Sequence, residues 1–258
     1  MLVAVDVGNT QTVIGLFQEG SKTPSSLIAH WRVATIADRT TDEHALLLYD
    51  LFRIANFDIN KISGICFSSS VPEVTAQFRS ITSKWFKVPL VIVGPGIKTG
   101  MPILYDNPKE VGADRITNAV AAFDRYKGPT IIVDLGTAIT FDAVSQNGEY
   151  LGGAIFPGIE TSTSALFSKA AALRKVELIE PRRVIGKSTV ESIQAGTIFG
   201  FASLVDGMCE RFEAELGSCT IIATGGSAPL VVPYSKKIKH FDPWLTLWGL
   251  KLIFEKNS

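Results

Sequence analysis

Short, almost wholly apolar runs alternate with amphipathic runs along the chain, and two of the apolar runs continue in the same way. In one-letter code they read VAVDVGNT at residues 3–10 and IIVDLGTA at residues 131–138. Each passes through aspartate, one apolar residue and glycine, and another β-like run follows at Thr12–Phe17 or Ile139–Val144. The pattern predicts two strand–turn–strand hairpins, one in each half of the chain.

The turn of each hairpin has the composition of a phosphate-binding loop. Glycine permits a positive φ and a close approach of the backbone, so amides and the hydroxyls of Thr10 and Thr137 can contact phosphate oxygens. A carboxylate beside a polyphosphate is repelled unless a cation lies between them, so Asp6 and Asp134 indicate bound metal as well as nucleotide. A single turn of this kind also forms for purely conformational reasons. Because the turn recurs, we expect a duplicated α/β unit with two phosphate loops facing one cleft.

The first half has the strand and helix order of an α/β domain. The predicted elements are the hairpin at 2–17, strands at 28–33, 62–68 and 90–93, and helices at 41–54 and 72–86. Thr40 or Thr41, followed by Glu43, predicts a capped start for the first helix. Its expected apolar face consists of Leu46, Leu47, Tyr49, Leu51 and Phe52.

The second half repeats this order. The predicted elements are the hairpin at 130–144, helices at 188–201 and 202–216, a strand at 220–223 and an amphipathic segment at 245–254 that packs back on one of the domains. In the second of these helices an apolar residue recurs every fourth position from Leu204 to Leu216, which predicts a core-facing stripe. A helical pattern ends at Lys127–Pro129, so we place the domain boundary there, between residues 1–127 and 128–258.

Composition and charge narrow the classes of function. With 258 residues, 46% of them hydrophobic, the chain can form one large domain or two ordinary ones. Lysine and arginine number 25, as do aspartate and glutamate, so no bulk field favours nucleic acid or an anionic membrane. The basic cluster Lys236–His240 is typical of a solvated face.

No uncharged apolar stretch approaches the ~18 residues of a membrane span, so we expect a cytoplasmic protein that is neither exported nor inserted.

Cysteines and histidines are few and scattered. Cys66, Cys209 and Cys219 have no paired spacing, which is typical of reduced thiols in a cytoplasm. The three histidines are equally dispersed and predict neither a zinc site nor a histidine-based triad.

The segment 105–115 carries the candidate acceptor chemistry. Asn107, followed by Pro108 and Glu110, is a capping pattern ahead of a helical run, so Asp114 and Arg115 lie near a helix start. The positive potential there keeps an aspartate ionised and able to accept a hydroxyl proton, while the guanidinium can hold a carboxylate or phosphate. In the alternative, Asp114 only stabilises the helix end and Arg115 makes a surface ion pair. The two phosphate loops favour the first interpretation, because phosphoryl transfer needs both groups.

Taken together, these motifs carry a resemblance. The paired hairpins resemble the phosphate loops of the acetate and sugar kinase, heat-shock cognate and actin superfamily. Six segments in order resemble type III pantothenate kinase over nearly the whole chain: DVGNT at 6–10, GPGIKTG at 94–100, DNP at 106–108, GADR at 112–115, DLGTA at 134–138 and TGG at 224–226. Lys109, where arginine is expected, is a mild departure.

The resemblance implies a fold and an activity. The fold would be two duplicated ribonuclease H-like, actin-like ATPase domains, with mixed sheets flanked by helices and an active-site cleft between them. The activity would be ATP-dependent phosphorylation of pantothenate to 4′-phosphopantothenate, the first step of coenzyme A biosynthesis. The family is dimeric, with its acceptor pocket at the subunit interface, and it uses potassium or ammonium.

The resemblance also implies roles for individual residues. Asp114 would be the general base, Asp6 would lie close to magnesium, and Asp134 would bind the monovalent cation. Thr224–Gly226 would form a turn on the adenosine side. ATP would be contacted by Asp6, Val7, Gly8, Asn9, Thr10, Gln11, Thr12, Val13 and Thr137. Pantothenate would be contacted by Tyr105, Gly112, Ala113, Asp114 and Arg115, and by Thr189 from the partner subunit.

Two other classes of function stay open. One is a non-catalytic regulatory accessory factor with the same fold, and the other is a different small-molecule kinase of the superfamily. The presence of Asp6, Asp114, Arg115 and Asp134 argues against a degraded site, and the Gly-Ala-Asp-Arg segment argues against another acceptor.

Overall fold

The fold is built on two five-stranded mixed sheets. The structure is a computed structural model that describes residues 1–20, 23–170 and 172–258. The first sheet contains β1 Leu2–Val7, β2 Gln11–Phe17, β3 Leu27–Ala34, β4 Gly64–Ser69 and β5 Leu90–Ile92. The second contains β6 Thr130–Leu135, β7 Ala138–Val144, β8 Tyr150–Pro157, β9 Thr220–Thr224 and β10 His240–Phe241.

The two sheets have the same topology. Their strand orders are β3-β2-β1-β4-β5 and β10-β9-β6-β7-β8, so β6 to β10 repeat β1 to β5. In the first sheet β1 pairs antiparallel with β2 and parallel with β4. In the second, β6 pairs in the same way with β7 and β9. The predicted duplication, with its two hairpins, is confirmed.

The helices follow the strands in α/β order. They are α1 Thr41–Ile54, α2 Pro72–Ile81, α3 Ala113–Tyr126, α4 Ile159–Lys169, α5 Thr189–Leu216, α6 Ala228–Val231 and α7 Leu245–Glu255. A π-helical turn at Thr82–Phe86 extends α2 to the end expected from its sequence. In the described part of the chain, none of the helices is long and apolar enough to cross a membrane.

Helix α5 corrects one prediction. The helices expected at 188–201 and 202–216 form a single helix of 28 residues. Its N-cap is Ser188, whose Oγ accepts a hydrogen bond from the Glu191 amide at 3.2 Å, and its C-cap is Gly217, which has a φ of 80°. Between these caps there is no proline to break the hydrogen-bond ladder, and the apolar pattern runs on across residue 201.

The described residues divide into two compact units that are discontinuous in sequence. Unit 1 comprises Met1–Gly100, Asp106–Ala121 and Leu245–Ser258, and unit 2 comprises Met101–Tyr105 and Ala122–Trp244. In unit 1, α7 packs on β1 and β4. A Cβ at Gly15 would lie 2.7 Å from Leu247, and one at Gly64 would collide with the ring of Phe254, so both glycines let α7 approach the sheet.

The core of unit 1 lies between its sheet and helices α1 and α2, and it corrects the predicted face of α1. The residues of α1 that are buried are His44, Ala45, Leu48 and Phe52, whereas Leu46 is 64% and Tyr49 48% exposed. Phe52 and Leu51 were placed correctly against the core. Packing against the sheet determines which face of α1 is buried. That face includes His44, which a count of apolar residues alone omits.

The core of unit 2 lies between β6, β7 and α5. Ile131, Val133, Leu135 and Phe141 are buried against Val205 and other residues of α5. The stripe from Leu204 to Leu216 also packs against this cluster, as predicted.

Buried His44 makes the stability of the fold depend on pH. Its ring is 5.4 Å from that of Phe78, and no described residue forms a hydrogen bond with its Nε2. Burial, with a further contribution from Arg39, lowers the pKa of His44 to about 4, against 6.5 for the ordinary group. Between these values the unfolded chain takes up a proton more readily, so stability falls as pH drops from 6.5 towards 4.

We therefore expect the free energy of unfolding to drop below pH 6.5 by at most about 3 kcal/mol from this group. Urea denaturation at pH 7.0 and 4.5 measures the drop, and His44→Leu should lessen it. His30→Gln, at an exposed position, serves as the control and should keep the wild-type pH dependence. An unchanged pH slope in His44→Leu would show that His44 does not titrate as described.

Candidate active site

The first phosphate loop is a tight turn between β1 and β2. The Gly8 amide donates to the Gln11 carbonyl at 3.0 Å, and a Cβ at Gly8 would lie 3.2 Å from the same oxygen. Thr35 supports the turn, because its Oγ1 donates to the Gly8 carbonyl at 2.8 Å and lies 2.9 Å from Thr12 Oγ1. Val7 and Thr12 are buried and Val13 half-buried, while Asn9, Thr10 and Gln11 are exposed. The loop therefore has a fixed backbone and an accessible tip.

Asp6 precedes this loop near the end of β1. It pairs in register with Ser68 of β4, whose Oγ donates to Asp6 Oδ1 at 2.6 Å. Burial raises the pKa of Asp6 to about 7; the Ser68 hydrogen bond opposes the rise, and the negative charge of Asp114 adds to it. Unit 1 thus brings together two of the three carboxylates that the sequence singled out, Asp6 and Asp114.

Asp114 lies in the first turn of α3. Its Oδ1 accepts a hydrogen bond from the Arg115 amide at 2.9 Å, and a Cβ at Gly112 would collide with that oxygen. Gly112 is therefore required where the carboxylate folds back over the helix start. Ala113 is anchored by its carbonyl, which accepts from Thr117 Oγ1 at 2.6 Å.

Arg115 is only 7% exposed. This burial excludes the alternative in which it makes a surface ion pair. A guanidinium so enclosed is suited to binding an anion through several hydrogen bonds.

The second phosphate loop, in unit 2, joins β6 to β7. The Gly136 amide donates to the Ala138 carbonyl at 3.0 Å. The Thr137 carbonyl accepts from the Gly158 amide at 3.0 Å and from Thr161 Oγ1 at 2.8 Å. The side chain of Thr137 is exposed. Helix α4 begins beside this loop, although no sequence signal had predicted α4.

Asp134 lies ahead of the second loop, as Asp6 does ahead of the first. It pairs in register with Thr140 of β7 and Thr224 of β9. Gly225 has a φ of +94°, and a Cβ there would lie 2.5 Å from Asp134 Oδ1. The Thr224–Gly226 turn therefore lies against the Asp134 carboxylate, a proximity that the sequence did not reveal.

Tyr105 ends a short segment that pairs with the start of β8. The Leu104 amide donates to the Tyr150 carbonyl at 2.8 Å, and the Tyr150 amide donates to the Pro102 carbonyl at 2.9 Å. The rings of Tyr105 and Tyr150 are 6.4 Å apart. The Tyr150 hydroxyl donates to buried Asp142 at 2.7 Å. Sequence reasoning missed Asp142 and Tyr150, although a carboxylate inside the apolar run of β7 was a usable signal.

Thr189 is the first residue of α5 and is exposed. It borders a groove of about 830 Å³, which we call the α4–α5 groove, lined by Ser162, Thr163, Leu166, Leu173, Gly186, Lys187, Ser188, Thr189, Ser192, Ile193, Gly196, Thr197 and Phe201. This lining mixes small polar and apolar side chains.

Over the ranges that the structure describes, no three histidine, cysteine, aspartate or glutamate side chains cluster as a metal site would. A complete protein cage for a metal is therefore not formed there. Magnesium differs from zinc in this respect, since it is commonly held by one or two carboxylates together with phosphate oxygens and water.

The fold defines the class of protein first. Solved structures with this fold include an inorganic polyphosphate/ATP-glucomannokinase from Arthrobacter sp. strain KM, with a TM-score of 0.55 and 13% identity over 100% of this chain and 99% of that chain. A protein from Campylobacter jejuni described as a Baf family transcriptional activator has a TM-score of 0.58 and 19% identity over 99% and 98% of the two chains. The chain has the actin-like ATPase fold that sugar kinases share.

Sequence comparison then identifies the family. The family model for type III pantothenate kinase matches residues 2–211. Proteins named type III pantothenate kinase from Streptomyces griseus subsp. griseus and Koribacter versatilis are 52% and 51% identical, over all of this chain and 98% and 96% of their own lengths. The chain belongs to the type III pantothenate kinase family and is a kinase.

Proposed function

We propose that this protein transfers the terminal phosphoryl group of ATP to the primary hydroxyl of pantothenate, in the first step of coenzyme A biosynthesis. The observation that carries the proposal is the proximity of Asp6 and Asp114 beside a phosphate loop, in a chain of this family. Both carboxylates would lie beside the negative charge of the ATP phosphates, which shifts as the phosphoryl group is transferred. The free thiols of Cys66, Cys209 and Cys219 fit a cytoplasmic setting.

The loop from Asp6 to Val13 would hold ATP phosphates, and Thr137 would also contact the nucleotide. Asp6 fits a magnesium site, because its pKa is raised by burial and by the charge of Asp114, and a divalent cation would offset both effects. Bound there with the phosphates, the ion would neutralise charge on the transferred group.

Asp114 would accept the proton of the pantothenate hydroxyl as that oxygen bonds to the γ-phosphorus and ADP leaves. Its place is set by Gly112 and the Arg115 amide, so it would be held in position before substrate arrives. Buried Arg115 would bind the pantothenate carboxylate, and Tyr105, Gly112 and Ala113 would complete the contacts.

Asp134 would bind a monovalent cation, potassium or ammonium. It is half-buried, and Gly225 leaves no room for a side chain beside it. A carboxylate in this position needs a compensating positive charge when nucleotide phosphates are nearby.

The active form would be a homodimer in which Thr189 reaches the partner's acceptor pocket. Supporting this, Leu166 and Val190 on α4 and α5 are 42% and 47% exposed beside the α4–α5 groove. Exposed apolar surface next to a groove is typical of a protein interface.

A regulatory role without catalysis is the weaker candidate. The likeness to the Campylobacter jejuni protein, at 19% identity, concerns the fold alone. A non-catalytic relative would have no need for Asp6 and Asp114 to lie close together beside a glycine turn.

Asp114→Asn should lower turnover by roughly 10²-fold or more, because the amide cannot accept the hydroxyl proton. ATP affinity and the thermal midpoint should change little. A coupled assay of ADP release with pantothenate, acetate and hexoses as acceptors measures both activity and specificity. Asp124→Asn, in the last turns of the same helix, is the matched control and should retain wild-type turnover. Near-normal turnover in Asp114→Asn would remove Asp114 as the base.

Sodium should not replace potassium or ammonium. At equal ionic strength we expect turnover in sodium chloride to be lower by about tenfold or more, the factor that 1.4 kcal/mol of cation preference produces. Asp134→Asn should reduce the rate in potassium to the sodium level, while Asp124→Asn should keep the wild-type preference. Equal wild-type rates in the three chlorides would contradict the assignment of Asp134.

Sedimentation equilibrium should give a dimer, and mixing two inactive variants should restore activity. Asp114→Asn removes the proposed base from a subunit's own site. Thr189→Arg replaces the residue that the subunit would contribute to its partner's site. After subunit exchange about half of the dimers are mixed, each with one intact site, so roughly a quarter of the wild-type rate should return. Asp114→Asn mixed with the double variant Asp114→Asn/Thr189→Arg is the control and should stay inactive. No recovery from the first mixture would contradict a shared site.

A further inference from the structure

A fully buried carboxylate in unit 2 lies outside the proposed chemistry. Asp142, in the middle of β7, is 0% exposed. Its Oδ1 accepts a hydrogen bond from the Tyr150 hydroxyl at 2.7 Å, and its Oδ2 accepts one from Thr140 Oγ1 at 2.9 Å. Burying a charge costs free energy even when donors surround it, so its presence requires a reason.

The duplicated hairpin shows that the architecture does not require this carboxylate. In β7, Thr140 lies opposite Asp134, and Asp142 follows two residues later. In β2, the residue opposite Asp6 is Val13, and the residue two positions later is Gly15. The same hairpin thus forms in unit 1 with apolar or small residues at both positions, so the polar pair serves something specific to unit 2.

Tyr150 connects Asp142 to Tyr105 and the residues just before it. Its backbone pairs with Pro102 and Leu104, and its ring lies beside the ring of Tyr105. Tyr105 also packs over Gly152, where a Cβ would lie 3.4 Å from the Tyr105 ring. Tyr105 therefore rests on β8, and the hydrogen bond to Asp142 restricts the Tyr150 ring on which it rests.

We propose that Asp142 is a positioning residue for the acceptor site: through Tyr150 it holds Tyr105 in the orientation that binds pantothenate. The inference rests on the proposed function, in which Tyr105 contacts pantothenate. Thr140 satisfies the other oxygen of the same carboxylate and has no part in this connection.

The test compares two variants. Each removes one of the two hydroxyl groups that donate a hydrogen bond to the Asp142 carboxylate. Tyr150→Phe should raise the KM for pantothenate about tenfold, the effect of losing one buried hydrogen bond of about 1.4 kcal/mol, with kcat within about twofold and the KM for ATP unchanged. Thr140→Val leaves a similar defect in the core but should leave the KM for pantothenate unchanged. Calorimetric titration with pantothenate should show the same difference in Kd.

A double-mutant cycle tests whether Tyr150 acts through Tyr105. In a Tyr105→Ala background, Tyr150→Phe should have no further effect on the KM for pantothenate. Asp142→Asn gives the same comparison should Tyr150→Phe fail to fold, and near-ultraviolet circular dichroism reports folding in each case.

The outcomes separate the two proposals. The positioning role would be overturned by equal changes in the KM for pantothenate in Tyr150→Phe and Thr140→Val, or by no change in either variant. Full additivity of Tyr150→Phe with Tyr105→Ala would also overturn it. In each case an active wild-type protein would leave the proposed function in place. A wild-type protein that does not phosphorylate pantothenate would overturn the proposed function and this inference with it.

Discussion

The burial of the Asp6 carboxyl group, with Asp114 close enough to raise its pKa further, is the constraint on which the candidate site depends. Each carboxylate is held by local structure, Asp6 by its pairing with Ser68 and Asp114 by Gly112 and the first turn of α3. Burial and the charge of Asp114 both raise the pKa of Asp6, so the fold holds this carboxyl group in surroundings that disfavour its ionised form.

Duplication gives both units the same sheet and hairpin, and the units differ in the residues that surround each aspartate. Both sheets place an aspartate near the end of their central strand, ahead of a glycine turn. The partners of the two aspartates differ: Asp6 accepts from a serine and lies near Asp114, whereas Asp134 lies against Gly225. Identical topology therefore places the two aspartates among different neighbours.

Local sequence patterns predicted those elements whose geometry depends only on residues that are close together in the chain. The two hairpins, the capped start of α1 and the placement of Asp114 near a helix start were predictable, because turn residues, caps and two-residue periodicity act over short distances. Predictions failed where the answer depended on a partner surface. The buried face of α1 is determined by packing against the sheet. The predicted division of α5 at residue 201 was wrong for a local reason, because no proline interrupts the helix there.

The sequence by itself determined that this chain has two hairpins with a glycine turn, and which aspartates precede these turns, because strand, turn and carboxylate are adjacent in the chain. Only the tertiary structure decided that Asp114 comes close enough to raise the pKa of Asp6, that Gly225 presses on Asp134, and that Asp142 reaches Tyr150. The physical reason is that charge repulsion and close packing depend on distances in space. Strand pairing sets those distances between residues that are far apart in the chain.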